Sequence, residues 1–180
     1  MNKYIYKLIN EQFNIGNMDL NNNAKINRNI FNKNVVNPYS VYKKMLNEDT
    51  VSRYEIEQLN ICDSVIKVQS KQDLRIIVKY YTARYPNDSM NWLDVSGIND
   101  MVSMFAGYEY NGDISKWDVS NVENMDHMFM ESTFNGDISK WDVSNVETMI
   151  SMFDNSKFNM PISGWDVSNV KSMSYIFYKS

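Results

Sequence analysis

Tyr110-Asn-Gly-Asp-Ile-Ser-Lys-Trp-Asp-Val-Ser-Asn-Val-Glu-Asn-Met-Asp-His-Met-Phe129 is followed by a near-copy, Phe134-Asn-Gly-Asp-Ile-Ser-Lys-Trp-Asp-Val-Ser-Asn-Val-Glu-Thr-Met-Ile-Ser-Met-Phe153, displaced by 24 residues. The same offset runs outward through Met90, Ile114, Ile138 and Ile162, and through Val95, Val119, Val143 and Val167. It also joins Ile98, Val122, Val146 and Val170, and Leu93, Trp117, Trp141 and Trp165, so four copies stand in register. The unbroken spacing places Leu93, not Trp92, in the tryptophan column and leaves Trp92 as an extra aromatic. A repeat this short cannot bury its apolar face alone, whereas stacked copies form a continuous core with parallel strands about 4.8 Å apart.

Within each copy two periods succeed one another. Ile114, Trp117 and Val119 end in the alternation of a short strand, and Val122, Met125, Met128 and Phe129 fall on one face of a helical turn. Ser120-Asn-Val-Glu123 and Ser144-Asn-Val-Glu147 have the spacing of a capping box and predict the start of that helix. Asn111-Gly112 and Asn135-Gly136 suit a tight return that uses positive φ. The expected fold is α/β: a leucine-rich-repeat-like solenoid of four 24-residue strand-helix repeats over residues 90–180, with an N-terminal helical cap. Methionines recurring at core spacing, such as Met101, Met125 and Met149, read as packing and not as soft-metal ligands.

These units resemble the repeats of BspA-like leucine-rich-repeat proteins, bacterial surface proteins also found in viruses, over about residues 64–180. The helix expected around Val68 to Lys79 is similar to the one that precedes such arrays. The resemblance implies a non-enzymatic solenoid used in adhesion or protein recognition and displayed outside the cell. The chain departs from that pattern in showing no signal peptide or lipid-anchor cysteine near Met1, so the expected location is cytoplasmic or virion-associated rather than secreted.

Upstream of the repeats the composition changes. Residues 1–37 hold 12 Asn and read as a loosely ordered arm, in which Tyr4, Ile5, Leu8, Ile9 and Phe13 share one side of a short amphipathic helix. That helix is either a docking peptide or a segment folded onto its own domain. Residues 38–89 read as a helical region and cap: Asn37-Pro38 and Ser52-Arg-Tyr-Glu55 each open a helix, Val65 to Val68 a strand, and Ser70-Lys-Gln-Asp73 a further helix. Leu74, Ile77, Val78 and Tyr81 would cover the first repeat. At the other end Ser168-Asn-Val-Lys171 breaks the capping box, and the segment from Trp165 to Val167 is expected to be an open edge that pairs with another subunit or a partner.

Charge and chemistry narrow the function. Residues 1–84 carry 13 Lys/Arg against 8 Asp/Glu, and residues 85–180 carry 5 against 14, so a basic front end neighbours an acidic repeat array. One cysteine, Cys62, and one histidine, His127, cannot form a His/Cys zinc site or an intrachain disulfide. No apolar run approaches the roughly 20 residues that span a bilayer. Ser120, Ser144 and Ser168 recur as structural positions rather than as one unique nucleophile, and phosphate-loop, HExxH and EF-hand motifs are missing, so neither catalysis nor a cofactor is expected.

The most informative surface is a column of Asp94, Asp118, Asp142 and Asp166 beside a column of Trp92, Lys116, Lys140 and Gly164. Aligned carboxylates repel, which would raise some of their pKa values and favour a basic partner over a dedicated metal. Trp92 is either an exposed anchor of that face or a packing residue against the cap. The leading expectation is a protein partner bound on this face, with no nucleic acid. Alternatives are a virion or assembly component docked by its arm, as in a phage, and an acidic decoy of a nucleic-acid-binding protein.

Overall fold

The computed structural model describes residues 38–47, 49–61 and 66–180; the arm of residues 1–37 and Cys62 lie outside them. Helix α1 spans Pro38–Leu46, α2 Arg53–Ile61 and α3 Lys71–Thr82; strand β1 is Ile66–Lys67 and β2 is Leu93–Asp94. The two capping signals of this region are used as their spacing predicts. The Ser52 amide donates to Glu55 Oε2 at 2.8 Å while the Glu55 amide donates to Ser52 Oγ at 3.2 Å. Ser70, in extended backbone, accepts from the Asp73 amide and starts α3.

Helix α1 packs on α2, α3 and β1 and buries Val41, Tyr42 and Met45. Helix α3 buries Leu74, Ile77, Val78 and Tyr81, the face expected to cover the first repeat. Polar contacts fasten the seams: Tyr42 Oη donates to Asp73, Lys44 pairs with Glu55 at 2.6 Å, and Tyr80 Oη accepts from the Val51 amide at 2.8 Å. Strand β1 pairs in parallel with β2, aligning Ile66 with Leu93 and Lys67 with Asp94, so Leu93 occupies the in-register position.

Beyond β2 the repeats stack on one another at the 24-residue offset, joined by parallel bridges Asp100 to Asn124, Asn124 to Thr148 and Thr148 to Ser172. Three aromatic columns run along the stack. Phe105, Phe129, Phe153 and Phe177 lie face to face with centroids 5.3, 5.6 and 5.4 Å apart. Tyr110, Phe134 and Phe158 follow at 6.3 Å intervals. The indoles form the third column, and each donates its N–H to the carbonyl of the preceding unit: Trp117 to Met90 at 2.9 Å, Trp141 to Ile114 at 3.3 Å, Trp165 to Ile138 at 3.1 Å.

Inside a repeat the local structure differs from the strand-helix expectation. The segment predicted to be helical, Val122 to Phe129, holds no helix: Asn124 forms a bridge and Asp126 to Phe129 are turns, while the neighbouring Ile114 to Val119 has one turn at Ser115-Lys116 and no ladder. The bridging ladder lies instead in the supposed helix. The amides of Met101, Ser103, Phe105 and Gly107 donate to the carbonyls of Asn124, Asp126, Met128 and Met130 at 2.8–2.9 Å, while those of Met104, Ala106 and Tyr108 turn back three residues. An α-helix would spend every amide internally; here alternate amides point along the stack and tie each copy to the next.

Two left-handed residues per repeat make that alternation possible: Ser103, His127, Ser151 and Tyr175 in one column, and Gly107, Glu131, Asn155 and Lys179 in the other. The expected capping boxes inside the repeats are not formed. Ser120 Oγ donates to Asp118 at 2.6 Å, and the Glu123 amide donates to the Asn99 carbonyl of the preceding copy. The Asn-Gly pairs also act differently from expectation, since Gly112 and Gly136 do not take positive φ. A Cβ on Gly112 would overlap the Asp88 carbonyl oxygen and lie 2.5 Å from the Tyr110 hydroxyl, so close backbone approach is what requires glycine there.

Candidate functional site

Asp118, Asp142 and Asp166 are exposed in a column with Lys116 and Lys140 beside them, and Gly164 continues the lysine column in the fourth repeat. Asp94, at the end of β2, is half-buried. Trp92 does not belong to this face. It is buried against the cap, its ring 5.7 Å from that of Tyr81 and its N–H donated to the Ser89 carbonyl. The residue falls on the covered side because β1 and α3 occupy the place that a preceding repeat would have.

The aspartates are first of all turn residues. Oδ1 of Asp94, Asp118, Asp142 and Asp166 accepts from the amide two residues on, at 2.9, 3.1, 3.0 and 3.0 Å, and Asp118 and Asp142 also accept from the Ser120 and Ser144 hydroxyls at 2.6 Å. At Asp142 and Asp166 this arrangement reverses the expected titration. The hydroxyl and amide of Ser144 hold the Asp142 carboxyl below its ordinary range, and those of Ser168 do the same for Asp166. The second oxygen of each carboxylate stays available to solvent or a partner. Among the described residues Lys116 and Lys140 form no ion pair, so their ammonium groups do not compensate the column by contact.

Because the folded-state pKa values of Asp142 and Asp166 are lowered, the stability they contribute is complete above the ordinary carboxylate value of about 3.9 and is lost as pH falls through the lowered values. Carboxyl chemical-shift titration should therefore place both below that value. Asp142→Asn keeps the Oδ1 acceptor but removes the titration, so urea melts of the variant should depend less on pH below about 4 than those of the natural chain. Equal pH dependence would refute the turn assignment.

Next to the aspartate column runs an open groove lined by Asn121, Glu123, Asn145, Glu147, Asn169 and Lys171. In sequence these positions read only as the capping boxes Ser120 to Glu123 and Ser144 to Glu147 and the broken one Ser168 to Lys171, which hides the groove that their 24-residue spacing builds. The asparagine amides continue the stacking pattern: Asn121 donates to Ser96, Asn145 to Ser120 and Asn169 to Ser144, at 2.7–2.8 Å. Their carbonyl oxygens and the Glu123 carboxylate leave the groove rich in acceptors, and Lys171 pairs with Glu147 at 2.8 Å across its far end.

His127 is half-buried in left-handed backbone, with Nδ1 enclosed and meeting no hydrogen-bond partner among the described residues. Among the described residues no group of three or more His, Cys, Asp or Glu is placed to hold a metal ion, and no helix is long and apolar enough to cross a membrane.

A family model described as "Mycoplasma protein of unknown function, DUF285" matches residues 72–180, from the start of α3 through all four repeats. No curated protein and no solved structure matches the chain.

Proposed function

This chain belongs to the DUF285 family, whose match covers more than half of its 180 residues, and on that premise we propose that it is a non-enzymatic protein-recognition module. We read its fold as an α/β leucine-rich-repeat-like solenoid of the BspA-like kind, capped by helices over residues 38–89. The partner binds laterally, along the exposed Lys116, Asp118, Lys140, Asp142 and Asp166 columns and the adjoining groove. The observation that carries this reading is the groove beside the aspartate column, in which an asparagine recurs in the second, third and fourth repeats on a stacked backbone, followed by Glu123, Glu147 and Lys171. An extended, rigid array of this sort favours recognition because little ordering entropy is lost on binding.

The face is acidic where Asp118, Asp142, Asp166 and Glu123 meet, and a partner surface bearing Lys or Arg suits it. The informative variant is Lys116→Glu/Lys140→Glu, because those side chains are exposed and form no ion pair among the described residues. Affinity capture from the native host, with mass spectrometry, should yield a partner whose recovery changes at least about tenfold in this variant, with unchanged circular dichroism. Asp118→Asn/Asp142→Asn, which keeps the turn acceptors, should reduce recovery by a similar factor. Identical recovery from all three proteins would remove the lateral face from consideration.

A further inference from the structure

Two columns of opposite sign run side by side along the middle of the stack. Lys116 and Asp118 in the second repeat, and Lys140 and Asp142 in the third, flank the buried Trp117 and Trp141 and are exposed, with a further repeat on either side of them along the stack. The bridge from Asn124 to Thr148 joins these two repeats, so both columns advance by the same step of about 4.8 Å. Neither column is neutralised by contact. Lys116 and Lys140 form no ion pair among the described residues, although Lys140 is near enough to Asp137 for its charge to be felt there. Oδ1 of Asp118 and of Asp142 takes the amide and the hydroxyl of the serine two residues on, while Oδ2 accepts no hydrogen bond among the described residues.

A surface that fits this pattern carries carboxylates opposite the lysines and ammonium groups opposite the aspartates, at the same step. The face itself is such a surface. A two-fold axis parallel to the stack and midway between the columns lays each column over the other column of a second copy, so Lys116 meets Asp118 of the partner subunit, Lys140 meets Asp142 of the partner subunit, and both pairs recur reciprocally. The step is identical in the two copies, and no mismatch builds up along the face. In the fourth repeat Gly164 faces Asp166 of the partner subunit, which introduces no repulsion. A two-fold axis across the stack fails, because it sets lysine on lysine and aspartate on aspartate.

We propose that the occupant of the lateral face is a second copy of this chain, paired face to face and in parallel through the Lys116/Lys140 and Asp118/Asp142 columns. This pairing presupposes the lateral-face reading and names its partner. The contact is isologous and closed, so association stops at a dimer instead of growing into a filament. Its ion pairs lie at the protein surface, which makes the dimer weak and sensitive to salt.

Sedimentation equilibrium of the full chain tests the pairing. At about 20 mM salt the natural chain should dimerise, and its dissociation constant should rise at least about tenfold at about 0.2 M. Lys116→Glu/Lys140→Glu sets carboxylates against carboxylates, and Asp118→Asn/Asp142→Asn keeps the Oδ1 turn acceptors but removes the charge. Each should weaken the dimer at least about tenfold with unchanged circular dichroism. An equimolar mixture of the two variants should pair more tightly than either alone, because the lysines of the second then face the aspartates of the first and no like charges meet. A natural chain that is monomeric at about 0.5 mM in low salt, a variant that dimerises as the natural chain does, or a mixture no tighter than its components overturns the pairing. Host capture that responds to the variants while the natural chain stays monomeric also overturns it, and leaves the lateral-face reading in place.

Discussion

Phe129→Ala is expected to lower stability by about 3–5 kcal/mol, the range for deleting a fully buried aromatic whose site cannot collapse. Phe129 is fully buried and stacks on Phe105 and Phe153 along the repeat axis and on Phe134 at 4.5 Å, with Trp141 against it at 6.3 Å. Its amide donates to the Met152 carbonyl in the ladder that ties one copy to the next and its carbonyl accepts from the Ser132 amide within the repeat, so neighbouring backbone is poorly placed to move into the void. The denaturation midpoint should fall by about 10 °C. Phe177→Ala, in the same column but open on one side, should cost less than half as much. Equal losses at the two positions would mean that the column does not act as a buried stack.

The second large effect is Gly112→Ala. The added methyl would coincide with the Asp88 carbonyl oxygen and press on the Tyr110 ring, and that carbonyl is the acceptor of the Tyr110 hydroxyl at 3.0 Å. Backbone on one side and a fully buried ring on the other leave no flexible group to yield. A loss of about 2–4 kcal/mol is expected from overpacking of this kind. Gly164→Ala is the matched control: its nearest neighbour is a carbonyl oxygen 3.9 Å away, so the change should stay within about 0.5 kcal/mol. Urea denaturation of the pair separates a steric requirement from a general intolerance of substitution; equal shifts would rule out the close approach as the cause.

Much of the organisation was legible in the columns. The offset of 24 residues located the buried Val, Met, Phe and Trp positions and put Leu93 rather than Trp92 in register, because every repeat buries the same face against its neighbour. The capping signals Ser52 to Glu55 and Ser70 to Asp73 were also readable, since a cap depends on residues only three apart. The same signal failed at Ser120 and Glu123. There Asp118, two residues earlier, captures the serine hydroxyl, and a carbonyl from the preceding repeat captures the glutamate amide. Periodicity misled for a related reason: apolar residues three and four apart fit a helix, but here they belong to turns whose alternate amides are spent between copies.

The candidate face was legible only in part. Lys116, Asp118, Lys140, Asp142 and Asp166 do lie on one exposed side, but the aspartates hold turns, and the carboxyls of Asp142 and Asp166 are held low where like-charge repulsion predicted the opposite. The groove asparagines gave no sign of their role, because an Asn amide reaching a carbonyl 25 residues earlier is invisible without the stack.

By itself the sequence determined the repeat length, the identity of the core columns and the helical nature of the cap, all of which follow from local spacing and from the need of each small unit to bury its apolar face. Only the tertiary structure decided which backbone amides stay within a repeat and which cross to the next, where Trp92 goes, and which groups line the groove. Those are choices among hydrogen-bond partners some 24 residues apart, and a partner is selected by the geometry of neighbouring copies rather than by residue type alone.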